Sequence, residues 1–203
     1  IIETEFLKSL SKRELLCGYA EILKHAIIKD KKFFNWLNKN SKDILKLKND
    51  KLLIDAITKS CKVKRHFVLK DTHESNLRMQ LNFGHTFAHS LEALHGFSKK
   101  LNHGEAVLIG MLLATKLSMI KKVCNIKEAN KIFDHYKNQK INFNLKNFLP
   151  KNKMNKIISL MINDKKNNDN KINLILLKKI GKTTNPGDHK LSASELKKYF
   201  PKL

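Results

Sequence analysis

The sequence predicts a mainly α-helical fold, with a short β-strand or hairpin near the C-terminus. Apolar residues recur at helical spacing through most of the chain, the period expected when one face of a helix is buried. Two Ser-x-x-Glu boxes, Ser11 to Glu14 and Ser192 to Glu195, mark helix starts at either end. In such a box the Ser side chain bonds the amide three residues on, and the Glu reaches back. Only "KINLILLKKIGK" (171–182) is dense in β-formers, and it alternates poorly.

Taken in order, Leu15, Tyr19, Ile22, Leu23, Ala26 and Ile27 continue the helix opened at Ser11, and Phe33, Phe34, Trp36 and Leu37 mark a second. A long helix is expected from about Lys51 to Lys70, through Leu53, Ile54, Ile57, Val63 and Phe67. "DTHESNLRMQLN" (71–82) is polar and aperiodic and reads as a loop. Two helices joined by "HGFSKKLN" follow, the second from His103 to about Lys122. Helices near Glu128–Tyr136 and Asn152–Asn163 and a short last one ending at Pro201 complete the expectation.

At 203 residues and 41% hydrophobic content, the chain can bury a sizeable core. The net charge of +23 first points to nucleic acid. Its distribution argues otherwise: the lysines are spread through every segment, arginine is rare, and Asn and Ile are abundant. A dedicated binder concentrates basic and aromatic groups on one face, so no nucleic-acid partner is expected. The charge does suit a phosphorylated or carboxylated substrate. The longest apolar run, around Ala106 to Ala114, is about half a membrane span, and no signal peptide is visible, so no membrane is expected. Cys17, Cys61 and Cys124 are far apart and odd in number, which points to a reducing, cytoplasmic setting. The chain begins at Ile1 rather than Met, so preceding residues are expected.

Chemistry concentrates in "LNFGHTFAHSLEALHGFSKKLNHGEAV" (81–107), which holds His85, His89, His95 and His103. Phe83, Phe87, Leu91 and Leu94 form one stripe of a helix there, and His85, His89 and Glu92 another. His85 and His89 are one turn apart, so both imidazoles can face one cleft. His103, at the start of the next helix, can fold back beside them. A catalytic zinc takes three protein ligands and keeps one position open. Two of these histidines and a carboxylate from elsewhere meet that need, and the candidate is Glu21 in "GYAEILKHA", where Gly18 and Ala20 leave room. The competing reading is ordinary: such a histidine pair often binds nothing, a lone Glu usually faces solvent, and so do single lysines in so basic a chain.

"GYAEILKHAII", "DTHESNLRMQLNFGHTFAHSLE", "NHGEAVLIGM" and "NDKKNNDNKINLILLKKIGK" together resemble the successive signatures of the 3-dehydroquinate synthase family, in its order and across nearly the whole chain. The resemblance implies that Glu21, His85 and His103 bind Zn2+ (or Co2+). It implies catalytic roles for Glu74 and His89, with His89 a non-ligating proton acceptor, and gives His95 no role beyond that of a surface residue. Substrate contacts are implied for Lys24, Lys64, Arg78, Asn82, Lys165 and Lys166, and contact with NAD for Phe6, Leu7, Lys8 and Ser9.

Two departures stand out: Asp71-Thr72-His73-Glu74-Ser75-Asn76-Leu77-Arg78 lacks the family's second acid and its glycine, and Ser11 stands where a proline is common. No glycine cluster of the kind that cradles a pyrophosphate is present. The resemblance therefore implies that residues 1–203 are the C-terminal, metal- and substrate-binding helical domain of a two-domain α/β + α enzyme, that its own N-terminal NAD-binding domain lies outside this chain, and that the fragment alone is inactive. The implied partners are a phosphorylated keto-acid and a second copy in a homodimer. The implied reaction is the zinc- and NAD-dependent lyase step from 3-deoxy-D-arabino-heptulosonate 7-phosphate to 3-dehydroquinate plus phosphate, in the shikimate pathway. Alternatives are another sugar phosphate cyclase, such as 2-deoxy-scyllo-inosose synthase, or a glycerol-dehydrogenase-like metal enzyme. Carboxylate recognition by Lys64 and Arg78, with Lys24 nearby, favours the 3-dehydroquinate synthase reading over both.

Overall fold

The computed structural model describes residues 3–141, 143–163 and 171–203. Lys165 and Lys166 lie outside them. A 3-10 helix at Glu5–Ser9 leads into α1 (Lys12–Lys29), α2 (Lys31–Leu45) and α3 (Asp50–Lys70). After a 3-10 helix at Leu77–Asn82 come α4 (His85–Leu94), α5 (His103–Ile120), α6 (Ile126–Asn138), the short α7 (Leu145–Phe148) and α8 (Met154–Ile162). Four short strands follow, β1 (Ile172–Asn173), β2 (Leu177–Lys179), β3 (Lys182–Thr183) and β4 (Lys190–Leu191), then α9 (Ala193–Tyr199).

Most helix starts are satisfied by their own side chains. Ser11 Oγ accepts from the Glu14 amide while Glu14 accepts from the Ser11 amide, and Ser192 and Glu195 do the same. Asp30, Asn49 and Asn125 cap α2, α3 and α6 by accepting from the amide three residues on. Each such cap is worth about 1 kcal/mol.

The core is organised around α5. Ala106, Val107, Leu108, Ile109, Met111 and Leu113 are all fully buried, so this helix is apolar on every side and sits inside the bundle. By length and composition it could cross a membrane, but 67% of it is buried within the domain. Phe83, just ahead of α4, and Phe87 and Leu91 within it pack into the same core, each burial stabilising by about 1.5–3 kcal/mol.

Two glycines set how closely α5 approaches its neighbours. A Cβ on Gly104 would lie 2.3 Å from Cys17 Cα in α1, and one on Gly110 would lie 2.1 Å from the Gly84 carbonyl oxygen at the start of α4. Only a residue without Cβ permits either contact.

The strands form two antiparallel pairs, β1 with β4 and β2 with β3. The β2–β3 turn uses Gly181 at φ +89°, and its amide donates to the Ile27 carbonyl of α1 at 2.7 Å. Three expectations need correction. Segment 71–82 is not wholly loop, because Leu77–Asn82 closes into a 3-10 helix. The last α-helix stops at Tyr199, and Pro201 lies inside a following 3-10 turn. His95 is half-buried rather than a surface residue: its ring packs on Phe148 and its Nε2 is buried without a hydrogen bond.

Candidate metal centre

Three helices bring three donors to one point. Glu21 comes from the middle of α1, His85 from the first residue of α4 and His103 from the first residue of α5. One ligand atom from each lies within 4.8 Å of the others. The Gly104 contact holds the start of α5 on α1, and the Gly110 contact holds the start of α4 on α5, so close backbone packing sets this convergence. A clasp from Arg13 adds to it. Its Nε and Nη2 donate to the two Glu105 carboxylate oxygens, both at 2.6 Å, and its other N–H groups donate to the Lys99 and Lys100 carbonyls. Glu105 also accepts from the Asn102 amide at 2.9 Å, so the turn into α5 is fixed on both sides of His103.

The electrostatics fit a cation. Glu21 Oε1 is buried and has no hydrogen-bond partner, while His85 Nε2 stands 3.7 Å away. A buried carboxylate oxygen left unpaired is costly, unless a ligand completes it. Burial pushes the Glu21 carboxyl up, but the Lys24 ammonium, at 2.7 Å from Oε2, more than offsets this and holds it below the usual carboxylate range. Burial, then the Lys24 charge and His89, pull His85 down to about 2. A charged carboxylate and a neutral imidazole are the forms that ligate a metal. Two imidazoles and one carboxylate match a three-ligand zinc site with an open fourth position, and Gly18, with nothing within 4 Å of a Cβ, leaves space beside Glu21.

The other expected residues fall around this point. The His89 ring centre is 5.5 Å from that of His85 and nearly perpendicular to it, one turn further along α4. Lys24 is 3% exposed and directed at Glu21. Lys64 is exposed on α3, close enough to contribute, after burial and Lys24, to holding His25 at about 4.

Glu74, Arg78 and Asn82 form one group: Asn82 Nδ2 donates to Glu74 Oε1 at 2.9 Å, and Arg78 Nε lies 3.9 Å from Glu74 Oε2. Their scaffold is Asp71, whose carboxylate accepts from the Ser75, Asn76 and Arg78 amides. Those bonds hold its pKa at about 2. Glu74 adopts a left-handed backbone at φ +55°, a strained conformation for a non-glycine residue. Of the Phe6–Ser9 segment, Leu7 lines an apolar cavity of about 250 Å3 that also touches Glu21, while Phe6 is 75% exposed.

Sequence reasoning gave no role to Glu92, Arg13, Glu105 or Gly110, all of which shape the cluster. Only Glu92 carried a signal, through its place on the His85–His89 stripe.

The fold and this cluster define a helical domain with a three-donor site suited to a divalent cation. Residues 18–167 match the family described as 3-dehydroquinate synthase C-terminal. The chain belongs to this family. A 3-dehydroquinate synthase of Pelagibacter ubique (strain HTCC1062) is 48% identical over 181 residues, covering 89% of this chain and 49% of the relative. One of Thermodesulfovibrio yellowstonii is 39% identical over 197 residues, covering 97% of the chain and 53% of the relative. The chain thus spans about half the length of the curated relatives it matches.

Among solved structures, 2-epi-5-epi-valiolone synthase from Streptomyces hygroscopicus subsp. jinggangensis, with NAD+ and Zn2+ bound, superposes with TM-score 0.81 at 23% identity, over 99% of this chain and 54% of that one. A 2-deoxy-scyllo-inosose synthase complexed with carbaglucose-6-phosphate, NAD+ and Co2+ gives 0.77 at 20% identity, over 98% and 55%. These likenesses establish the shared fold.

Proposed function

We propose that this chain is the metal- and substrate-binding half of a 3-dehydroquinate synthase, converting 3-deoxy-D-arabino-heptulosonate 7-phosphate to 3-dehydroquinate and phosphate. The observation that carries the reading is the Glu21–His85–His103 convergence with its unpaired carboxylate oxygen, in a chain of this family. Glu21, His85 and His103 would hold Zn2+ or Co2+, and NAD would be held mainly by the preceding half of the protein, with Phe6–Ser9 against it. When bound, the metal supplies Lewis acidity to a substrate hydroxyl and NAD a reversible hydride acceptor.

This chain's residues do the rest. His89, on the same helix face as His85, is positioned to accept a proton from the substrate. Glu74, held by Asn82 and Arg78, is the second acid–base group. Arg78 and Lys64 meet the substrate's anionic groups, with Lys24 beside Glu21. Arg grips an anion through two parallel N–H donors, which Lys cannot do. Lys165 and Lys166 complete the cationic shell in this reading. The three cysteines are unpaired, which fits a reducing cytoplasm. A homodimer follows from the family reading.

The test is phosphate release by the intact protein, with NAD and zinc, from the seven-carbon keto-acid phosphate and from glucose 6-phosphate. Turnover of the keto-acid phosphate alone, lost on chelation and reduced at least about 100-fold in Arg78→Ala, is the expected result. Turnover of glucose 6-phosphate instead would reassign the chain to inosose formation.

A further inference from the structure

The two histidines of the cluster are held in different ways. His85 is 12% exposed in its side chain, and its Nδ1 faces the Phe83 carbonyl at 3.4 Å. Burial and main chain together fix that ring. His103 is 53% exposed, so packing does little to fix it. Its Nδ1 lies 3.1 Å from Glu92 Oε1, and the Glu92 side chain is itself only 13% exposed. Glu92 sits two turns beyond His85 and one beyond His89 on α4, so the helix that supplies one imidazole also reaches across to the other.

We propose that Glu92 is a positioning residue for His103, an inference that rests on the metal reading above. A neutral imidazole has one N–H and one lone pair. With a carboxylate accepting at Nδ1, the proton stays there and the lone pair is left at Nε2, free to face Glu21 and His85. The carboxylate also makes the imidazole a better donor. Histidines that bind metal usually have such a partner, and losing it typically weakens metal binding about 10- to 100-fold. Because His103 is the exposed member of the trio, it depends on this partner more than His85 does.

The test is zinc affinity of the intact protein, measured by competition with a chromophoric chelator, beside the melting temperature of the metal-free protein. Glu92→Ala should weaken zinc about 10- to 100-fold while the metal-free melting temperature stays near that of the parent. Glu92→Gln keeps an acceptor oxygen without the charge and should lose less. In the cobalt-loaded protein, the visible absorption of Glu92→Ala should change shape, reporting a reoriented ligand. Unchanged zinc affinity in Glu92→Ala, with affinity lost in His103→Ala, overturns the role of Glu92 and leaves the metal site standing. Affinity unchanged in His103→Ala and Glu21→Ala overturns the metal site and this role with it. An equal fall in metal-free stability for the Ala and Gln variants, without a difference in affinity between them, also overturns it by showing a purely structural part.

Discussion

Helix α1 carries two polar clusters that begin two residues apart and are completed very differently. At Tyr19, the hydroxyl meets Ser41 Oγ of α2 and His135 Nε2 of α6, and His135 Nδ1 turns to Asn38. The Tyr19 and His135 rings stack at 6.1 Å, and both residues are about 2% exposed. Every group in that chain of bonds has a partner. At Glu21, the helix meets His85 and His103 instead, and one carboxylate oxygen is left buried without a hydrogen bond. Buried polar groups are normally paired, and the exceptions call for an explanation. The closed network locks three helices together, whereas the open one leaves a carboxylate oxygen unpaired beside an imidazole.

Removing ligands should break this contrast most visibly. Glu21→Ala and His85→Ala should each weaken zinc binding more than about 100-fold, since three protein donors are the minimum for a catalytic site. Tyr19→Phe should leave zinc affinity unchanged. Chelator competition on the four proteins checks both halves of the statement.

Next in size is Gly104→Ala. Its new Cβ would press on Cys17 backbone, and overpacking of this kind costs about 1–3 kcal/mol. Because Gly104 adjoins His103, zinc affinity should fall together with stability, as urea unfolding and metal titration would show. At the closed network the effects should separate: His135→Phe removes one of the two partners of the buried Tyr19 hydroxyl and should cost about 1 kcal/mol without touching zinc.

A last difference concerns acid sensitivity. Burial holds His135 at about 4 in the folded protein, against 6.5 for the free side chain. The unfolded chain therefore takes up this proton first, so the contribution is intact above pH 6.5 and is lost as pH falls toward 4. The full loss from this one group is about 3 kcal/mol. His25, also held at about 4 by burial and Lys24, adds in the same direction. Unfolding free energy measured between pH 7 and 4 should fall for the parent and fall less steeply for His135→Phe.

What could be read from the sequence was whatever depends on near neighbours. The Ser11 and Ser192 caps and the Phe83–Phe87–Leu91 stripe are local, and the structure keeps them. Glu21, His85 and His103 were named from spacing and family resemblance, and the fold brings their ligand atoms together. The positions that make this convergence possible were hidden because they act across helix crossings. Nothing local distinguishes Gly104 from any helical glycine until α1 lies 2.3 Å from its absent side chain, and Arg13 and Glu105 are 92 residues apart. The 3-10 turn at Leu77–Asn82 lacked periodicity, being organised by the Asp71 carboxylate upstream of it. His95 looked exposed because its cover, Phe148, comes from a helix of four residues with too little pattern to recognise.

The most direct measurement is zinc content of the purified intact protein, with zinc-edge X-ray absorption on the same sample, for the parent and for Glu21→Ala, His85→Ala, His103→Ala and His95→Ala. The account predicts one zinc per chain with a nitrogen and oxygen shell at about 2.0 Å and imidazole scattering, lost in the first three variants and kept in His95→Ala. Zinc retained in any of the three, a sulfur shell at about 2.3 Å, or no zinc in the parent would contradict it.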